Sequence, residues 1–173
     1  MSQRDSGYAR KERDLYETPK WVTLALLPHI PRPLKVWEPA CGSGKMVDAL
    51  REAGLDVIGT DIDSGADFLT AQPSEGTDAI ITNPPYELAT EFICRALSKL
   101  PRHGFTAMLL RTDFDHAKTR KDLFGEHPYF AKKIVLTKRI RWFEDSKGSP
   151  SFNHAWFLWS FEHSGPPTLA YGP

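Results

Sequence analysis

Short apolar runs alternate with amphipathic segments along the first two thirds of the chain. The apolar runs predict buried strands at residues 34–38, 56–60, 78–82 and 105–110. Between them, apolar residues at helical spacing predict helices over 45–53 and from 87 to about 99. An earlier helix is predicted from Pro19 to about Leu27, because Thr18 is a suitable N-cap and three prolines follow.

The last third predicts two more strands, at 133–139 and 154–161, with a short helix around 117–124. A brief strand or turn is expected at 66–69. The last two strands are separated by roughly a dozen residues, too few for a crossover helix, so they should form an antiparallel hairpin at the sheet edge. The pattern predicts an α/β fold with a seven-stranded, mostly parallel sheet and an antiparallel C-terminal hairpin.

Composition supports one domain. The chain has 173 residues, which allows a substantial core. Residues 1–14 are charged and predict a flexible tail, residues 15–163 a single domain, and the proline-containing residues 164–173 a loose tail. The 22 basic and 22 acidic residues cancel, which argues against a strongly basic protein that coats nucleic acid but leaves local patches open.

The two cysteines, Cys41 and Cys94, have no paired spacing. They suit a reducing compartment and predict neither a disulfide framework nor a cysteine zinc site. No apolar run approaches the roughly 20 residues of a membrane span. The N-terminus lacks the apolar centre of a secretory signal. These features predict a soluble, cytoplasmic protein that does not contact a membrane.

The stretch Asn83-Pro84-Pro85-Tyr86 lies where a buried strand ends and a helix begins. Ligands of open α/β sheets sit outside the carboxyl ends of the strands. The two prolines fix φ twice and remove two backbone donors, so the loop is stiff and its carbonyls remain as acceptors. A planar ring with an amino group would fit there, its NH₂ donating to the loop and Tyr86 stacking on its face. These four residues alone are equally compatible with a proline-rich turn that packs Tyr86 on the core.

A small-residue loop, 42–44, follows the first strand and lets the backbone approach a ligand closely. A dinucleotide fold would have a third glycine where this chain has Val47, and Glu38 just before the loop would repel a phosphate but could favour a cation. Asp61 ends the second strand and is placed to accept from ribose hydroxyls, with Ile62 beside it to pack on a purine.

The pair Asp67-Phe68 adds an acceptor for an exocyclic amine and a ring edge for the same purine. A ligand with adenosine at one end and an ammonium and a sulfonium at the other satisfies every one of these positions. Such a ligand needs no phosphate site.

Four stretches together resemble the class I S-adenosylmethionine-dependent methyltransferases and, more narrowly, the branch that methylates adenine N6 in DNA: residues 38–44 (Glu-Pro-Ala-Cys-Gly-Ser-Gly), 61–63, 67–68 and 83–86. The resemblance covers roughly residues 15–161. It implies a Rossmann-like class I methyltransferase fold with S-adenosyl-L-methionine as cofactor.

The same resemblance implies site residues. It assigns cofactor binding to Glu38, Ala40, Cys41, Gly42, Gly44, Asp61, Ile62, Asp67, Phe68 and Asn83, and it gives the methionine end a cap formed by Tyr16, Thr18 and Pro19. It makes Asn83, Pro84, Pro85 and Tyr86 the catalytic loop. The target adenine would flip out and stack on Tyr86, while the Asn83 side-chain oxygen and the Pro84 carbonyl accept from N6. Transfer would then depend mainly on positioning, without a strong general base.

Nothing in the chain has the size of the separate target-recognition domain that larger DNA enzymes carry. Recognition is expected from the short insertions 111–128 and 144–153, or from a partner protein or an oligomer. Arg139 and Arg141 lie in a basic run that could contact phosphates, and both are predicted substrate-binding residues. Lys132 and Lys133 are instead expected to protect an edge strand from aggregation.

Phe152 is predicted to hold the flipped base. His154 is expected to be a hydrogen-bonded structural residue. Asp113, Asp115 and His116 are expected to form a solvated loop, so no metal site is predicted.

DNA is therefore the first choice of partner, with RNA as the alternative nucleic acid. Three other functions stay open: a methyltransferase of an RNA base, one of a protein glutamine amide, and a catalytically silent module that binds S-adenosylmethionine. An NAD-dependent oxidoreductase is disfavoured by Val47 and Glu38.

Overall fold

The computed structural model describes residues 16–32, 34–142 and 152–173, so the predicted tail at 1–14 and most of the insertion at 144–153 lie outside the described residues. The described chain forms a seven-stranded sheet in the order β2-β1-β3-β4-β6-β5-β7. Its strands are β1 (Lys35–Glu38), β2 (Asp56–Gly59), β3 (Ala79–Thr82), β4 (Phe105–Arg111), β5 (Phe130–Leu136), β6 (His154–Ser160) and β7 (Thr168–Gly172).

The three α-helices are α1 (Lys20–Leu26), α2 (Lys45–Glu52) and α3 (Ala89–Lys99). Two 3₁₀ turns adjoin them, Leu27–His29 after α1 and Tyr86–Leu88 before α3. Thr18 does not cap α1: Pro19 occupies the N-cap position, without a capping side-chain hydrogen bond. The short helix expected at 117–124 is a 3₁₀ helix, Lys118–Leu123.

The predicted fold class is confirmed. β1 pairs in parallel with β2 and β3, and β3 pairs in parallel with β4. β6 runs antiparallel to both β4 and β5, which gives the predicted hairpin. Because β6 runs the opposite way, its first residue, His154, pairs with Arg111 at the end of β4. The start of β6 therefore lies at the same edge of the sheet as the carboxyl ends of the parallel strands.

At the sheet margins, the turn that was one of two alternatives for 66–69 is confirmed, whereas the expectation of a loose C-terminal segment was wrong. Residues 66–69 form a turn, in which the Asp67 side chain accepts from the Leu69 N–H and the Asp67 carbonyl accepts from Thr70 and Ala71. The segment 164–173, expected to be loose, contains β7, which pairs in parallel with β5. The β5–β6 hairpin is consequently not at the sheet edge. Residues 168–171 favour a strand locally, but two prolines immediately before them masked the pattern.

Apolar side chains cover both faces of the sheet, as expected for a parallel sheet. Along β6 the side chains alternate, with Trp156 and Leu158 in the core beneath α1 and α2, and Phe157 and Trp159 in the core beneath α3. Both faces of β6 are therefore buried. Within the described ranges, no helix combines the length and apolar character needed to cross a membrane.

Candidate functional site

A cavity of about 470 Å³ opens at the carboxyl edge of the sheet, between the loops after β1, β2 and β3 and the segment before α1. Most of the predicted cofactor-binding residues line it: Tyr16, Thr18, Glu38, Ala40, Cys41, Gly42, Asp61, Ile62, Asp67, Phe68 and Asn83. Two predicted residues are not in the lining. Pro19 begins α1, and Gly44 closes the turn into α2 by donating its N–H to the Cys41 carbonyl at 2.8 Å.

The loop after β1 turns sharply on glycine. Gly42 and Gly44 have φ values of 51° and 92°, in the left-handed region that favours glycine. In a dinucleotide-binding fold, a third glycine in this loop allows the helix to pack closely on the strand. In this chain a glycine on the neighbouring strand allows the close packing instead. A Cβ on Gly59 would lie 2.7 Å from Val47 Cγ2 and 3.3 Å from Cys41 Sγ, so it is Gly59 on β2 that admits this loop.

Asp61 joins the loops after β1 and β2. Its Oδ2 accepts from the Gly42 N–H at 2.9 Å and its Oδ1 accepts from the Asp63 N–H at 2.9 Å. Each carboxylate oxygen has two lone pairs, so both can accept a further donor from the cavity. The carboxylate is thus held in one orientation by backbone donors and can still bind hydroxyl groups.

One wall of the cavity is apolar. Ile62 is 64% exposed, which is unusual for a large aliphatic side chain. Phe68 is buried and is held by ring contacts with Trp37 and Phe92, at centroid distances of 5.1 and 4.6 Å. A flat ring could therefore lie between a fixed aromatic ring and an exposed aliphatic side chain.

Glu38 is 1% exposed and accepts a hydrogen bond from the Ala40 N–H at 3.0 Å. Burial raises the pKa of Glu38 to about 8, and repulsion from Asp61 contributes in the same direction. At neutral pH the side chain is therefore mostly protonated. A cation bound in the cavity would favour the carboxylate form and lower this pKa.

The segment 16–18, which we call the N-terminal strap, crosses the cavity and is held at two points. Asn83 Nδ2 donates to the Tyr16 carbonyl oxygen at 3.0 Å. Glu17 pairs with Lys45 at the start of α2 at 2.5 Å. Hydrogen bonds from Lys45 and Ser43 lower the pKa of Glu17, so it is charged at neutral pH.

The contact with Tyr16 orients the Asn83 amide. A backbone carbonyl can only accept, so Nδ2 must face Tyr16 and Oδ1 must point the other way. Asn83 Oδ1 is buried and accepts no hydrogen bond from any described residue. A buried acceptor without a donor is costly, which makes this atom a candidate contact for a ligand that brings an N–H.

Of the other three residues of the loop 83–86, one lines the cavity and two do not. Pro85 lines the cavity, whereas Pro84 is buried and Tyr86 is half-buried, and neither is in the lining. The Tyr86 ring faces the His154 ring, with centroids 6.1 Å apart and planes inclined by 25°. Tyr86 is thus fixed against the start of β6.

The predicted substrate-binding residues lie on the surface near the start of β6. Phe152 is 41% exposed, and the Arg111 guanidinium lies 4.0 Å from its ring centroid. Arg139 donates from Nε to Asn153 Oδ1 at 2.9 Å, and Arg141 is exposed. Arg111 was not among the predicted site residues. Its one local indication was a charged residue ending an otherwise apolar strand.

The expectation for Lys133 was wrong, because it does not protect an edge: its side chain is 17% exposed and donates to Asp115 and to the Thr112 carbonyl, both at 2.8 Å. His154, expected to be a hydrogen-bonded structural residue, is buried, and a hydrogen bond with the Phe152 backbone favours its charged form. Its Nδ1 has no hydrogen-bond partner among the described residues. Burial lowers the pKa of His154 to about 4, with Arg111 contributing, so the ring is neutral.

The loop after β4 is held by ion pairs. Asp113 pairs with Arg111 and Asp115 with Lys133. Across the described ranges, no three histidine, cysteine or acidic side chains are grouped so that they could hold a metal ion.

The sheet order and the cavity at its carboxyl edge define a class I methyltransferase fold. The chain superposes with a TM-score of 0.59 on a Listeria monocytogenes protein assigned to the class I S-adenosylmethionine-dependent methyltransferases, at 12% identity over 86% of this chain and 61% of that one. It superposes with a TM-score of 0.54 on the 1,6-didemethyltoxoflavin-N1-methyltransferase of Burkholderia thailandensis, solved with S-adenosylhomocysteine, at 11% identity over 80% and 76% of the two chains. These likenesses concern the fold alone.

Sequence similarity extends to a curated protein, the Type II methyltransferase M.TthHB8I of Thermus thermophilus. It is 36% identical over an alignment 130 residues long that covers 65% of this chain. The match spans only 28% of that protein's length. No family model matches the chain.

Proposed function

We propose that this chain is an S-adenosylmethionine-dependent methyltransferase that methylates an amino nitrogen, with adenine N6 in DNA as the first acceptor to test. The observation that carries the proposal is the Asn83 amide. Its Nδ2 is bound by the strap carbonyl, and its Oδ1 is left as a buried acceptor at the rim of the cavity. The likeness to a Type II methyltransferase supports the methyl-transfer chemistry.

The cavity residues fit S-adenosylmethionine by their chemistry. Asp61 would hold the ribose hydroxyls, and Ile62 and Phe68 would enclose the adenine, with Asp67 as a further acceptor beside them. Glu38 would face the cationic end, where its buried carboxyl is a suitable partner for an ammonium. When bound, the cofactor supplies a methyl group activated by a positively charged sulfur.

On the acceptor side, the loop 83–86 would orient an amino group. The Asn83 Oδ1 and the Pro84 carbonyl would each accept a hydrogen bond from one of its N–H groups, which directs the nitrogen lone pair toward the cavity. Attack by this lone pair on the methyl carbon would form the nitrogen–carbon bond as the carbon–sulfur bond breaks, with its electron pair going to sulfur. The additional proton on nitrogen would then leave to water. Holding reactants in line accounts for much of the acceleration in such reactions, so no strong base is needed.

The surface around the loop 83–86, which we call the acceptor loop, favours a nucleic acid as the substrate. Arg139 and Arg141 are exposed there, and Arg111 lies over the exposed Phe152 ring. Phosphates bind such arginines, and an extruded base can stack on an aromatic ring. Because the match spans less than a third of the curated relative's length, we propose that target recognition comes from a partner, an oligomer or another part of a longer protein.

The experiment is methyl transfer from tritiated S-adenosylmethionine to several acceptors in parallel. These are single- and double-stranded DNA, RNA of the same sequence and a glutamine-containing protein substrate. The matched control is DNA in which hypoxanthine replaces adenine, which removes the amino group. We expect label in adenine-containing DNA, recovered as N6-methyladenine after digestion, and none in the control.

If RNA or protein is labelled and DNA is not, the proposed acceptor is wrong, whereas the reaction class, methyl transfer to an amino nitrogen, is retained. A protein that neither binds S-adenosylhomocysteine in calorimetry nor labels any acceptor would overturn the reaction class itself.

A further inference from the structure

Four side-chain contacts connect the two ends of the acceptor loop through residues distant in sequence. At one end, Asn83 Nδ2 donates to the Tyr16 carbonyl, and the Tyr16 ring packs on Trp142 with centroids 5.3 Å apart. Trp142 then meets His154 edge to face, at 5.2 Å and 84°. His154 in turn faces Tyr86, the other end of the loop, at 6.1 Å and 25°.

The place of His154 follows from the sheet register. It begins β6 and pairs with Arg111 at the carboxyl edge. Side chains alternate along a strand, so His154 projects to the same side as Trp156 and Leu158. It is 2% exposed, and its ring fills the space between Trp142 and Tyr86.

The His154 ring constrains the Tyr86 side chain, which the two prolines of the loop cannot do. Pro84 and Pro85 stiffen the backbone of the loop, but they leave the Tyr86 side chain free to rotate. Packing a flat ring against one face of Tyr86 removes that freedom. The same ring braces Trp142, which holds Tyr16 and hence the carbonyl that orients Asn83.

We propose that His154 is a positioning residue for methyl transfer, setting the plane of the Tyr86 ring and, through Trp142 and Tyr16, the orientation of the Asn83 amide. The role rests on the proposed function. What matters is the flat shape of the ring and its burial.

The test compares His154→Leu, which fills similar space without a flat ring, with His154→Phe, which keeps one. Leu158→Val on the same strand is the matched control for loss of core packing, because Leu158 is 5% exposed and lies outside these contacts. The measurements are kcat and KM for an adenine-containing oligonucleotide, the dissociation constant of S-adenosylhomocysteine, and the thermal midpoint.

We expect His154→Leu to lower kcat about 10- to 100-fold, the scale of a misplaced reactive group, with cofactor affinity nearly unchanged. His154→Phe should recover most of this loss. If His154→Leu and Leu158→Val reduce kcat equally when their thermal midpoints fall equally, the residue is merely structural and the positioning role is wrong.

A double-mutant cycle tests the link to the strap. His154→Leu and Trp142→Leu should together cost less than the product of their separate effects, because each breaks the same series of contacts. Multiplicative effects would overturn the link. Failure of the proposed function would be distinguishable, because it would appear as an inactive wild-type protein, whereas failure of the positioning role appears only in the variants.

Discussion

The two halves of the site are built in opposite ways. The half beneath the strap is built on the loops after β1 and β2, and three of its polar side chains are acidic, namely Glu38, Asp61 and Asp67. The half beyond Asn83 is aromatic and basic, with Tyr86 and Arg111 meeting residues from the start of β6. The acidic half would repel a polyanion and attract a cation, and the basic half would do the reverse. In the proposed methyltransferase, this difference in charge would direct the cationic cofactor and a polyanionic acceptor to different halves of the site.

The largest effect should come from the residue between the two halves. Asn83→Ala removes the buried acceptor, so kcat should fall about 100- to 1000-fold, the scale for deleting one preorganised hydrogen-bonding group. Affinity for S-adenosylhomocysteine should change little, because the cavity keeps its other contacts. Radiolabel transfer and calorimetry separate these two quantities. An Asn83→Ala protein with wild-type kcat would remove the amide from the mechanism.

Asp61→Ala should damage the acidic half alone. Hydrogen bonds to a charged group contribute about 1.5–3 kcal/mol, so the dissociation constant of the cofactor should rise about 10- to 100-fold. At saturating cofactor, kcat should stay within a few-fold of wild type. Asp63→Ala is the matched control, since it deletes a neighbouring carboxylate but keeps the backbone N–H that binds Asp61. Equal binding by both variants would contradict the ribose assignment.

The contrast also explains what could be predicted from sequence. Most of the acidic half could be predicted, because Glu38 ends one apolar run and Asp61 follows the next, and the ends of these runs mark the sheet edge. Asp61 directly follows the second predicted strand, and its partner Gly42 lies in the small-residue loop after the first. Short-range patterns of this kind are visible in a single sequence.

The other half depends on pairings that no local pattern encodes. Tyr16 and Asn83 are 67 residues apart in sequence, and only the folded chain brings the strap carbonyl to the amide. Likewise, the contact between Tyr86 and His154 requires the register in which His154 pairs with Arg111. The close packing of Gly59 on Val47 was missed for the same reason, since the two residues belong to different elements.

Glu38→Gln should show how the acidic half handles a cation. Glu38 has a pKa of about 8 and is mostly protonated at pH 7, so binding an ammonium beside it should release a proton. We expect release approaching one proton per cofactor bound, measured by calorimetry in buffers of different ionisation enthalpy. Glu38→Gln should release almost none and bind about tenfold more weakly, as for loss of one charged contact. Equal proton release by both proteins would exclude Glu38.

The same group affects stability without ligand. The folded pKa of about 8 lies above the ordinary pKa of 4.5 for a glutamate, so the folded state holds the proton where the unfolded chain has lost it. Between these two values, unfolding releases a proton and stability falls as pH rises. The thermal midpoint of wild type should therefore decline relative to Glu38→Gln from about pH 5 to pH 8. A constant difference across that window would show that Glu38 does not titrate as inferred.

The smallest effect should come from the basic rim. Arg139→Ala and Arg141→Ala should each raise the oligonucleotide KM only a few-fold, because exposed phosphate contacts are individually weak and are screened by salt. Each should also lower the slope of log affinity against log salt by about one. Arg102→Ala is the matched control: Arg102 is exposed between α3 and β4, which places it at the amino edge of the sheet. If the rim binds phosphate, the salt slope should fall for Arg139→Ala and Arg141→Ala but not for Arg102→Ala. Equal salt slopes for all three variants would mean that only the net charge of the chain matters.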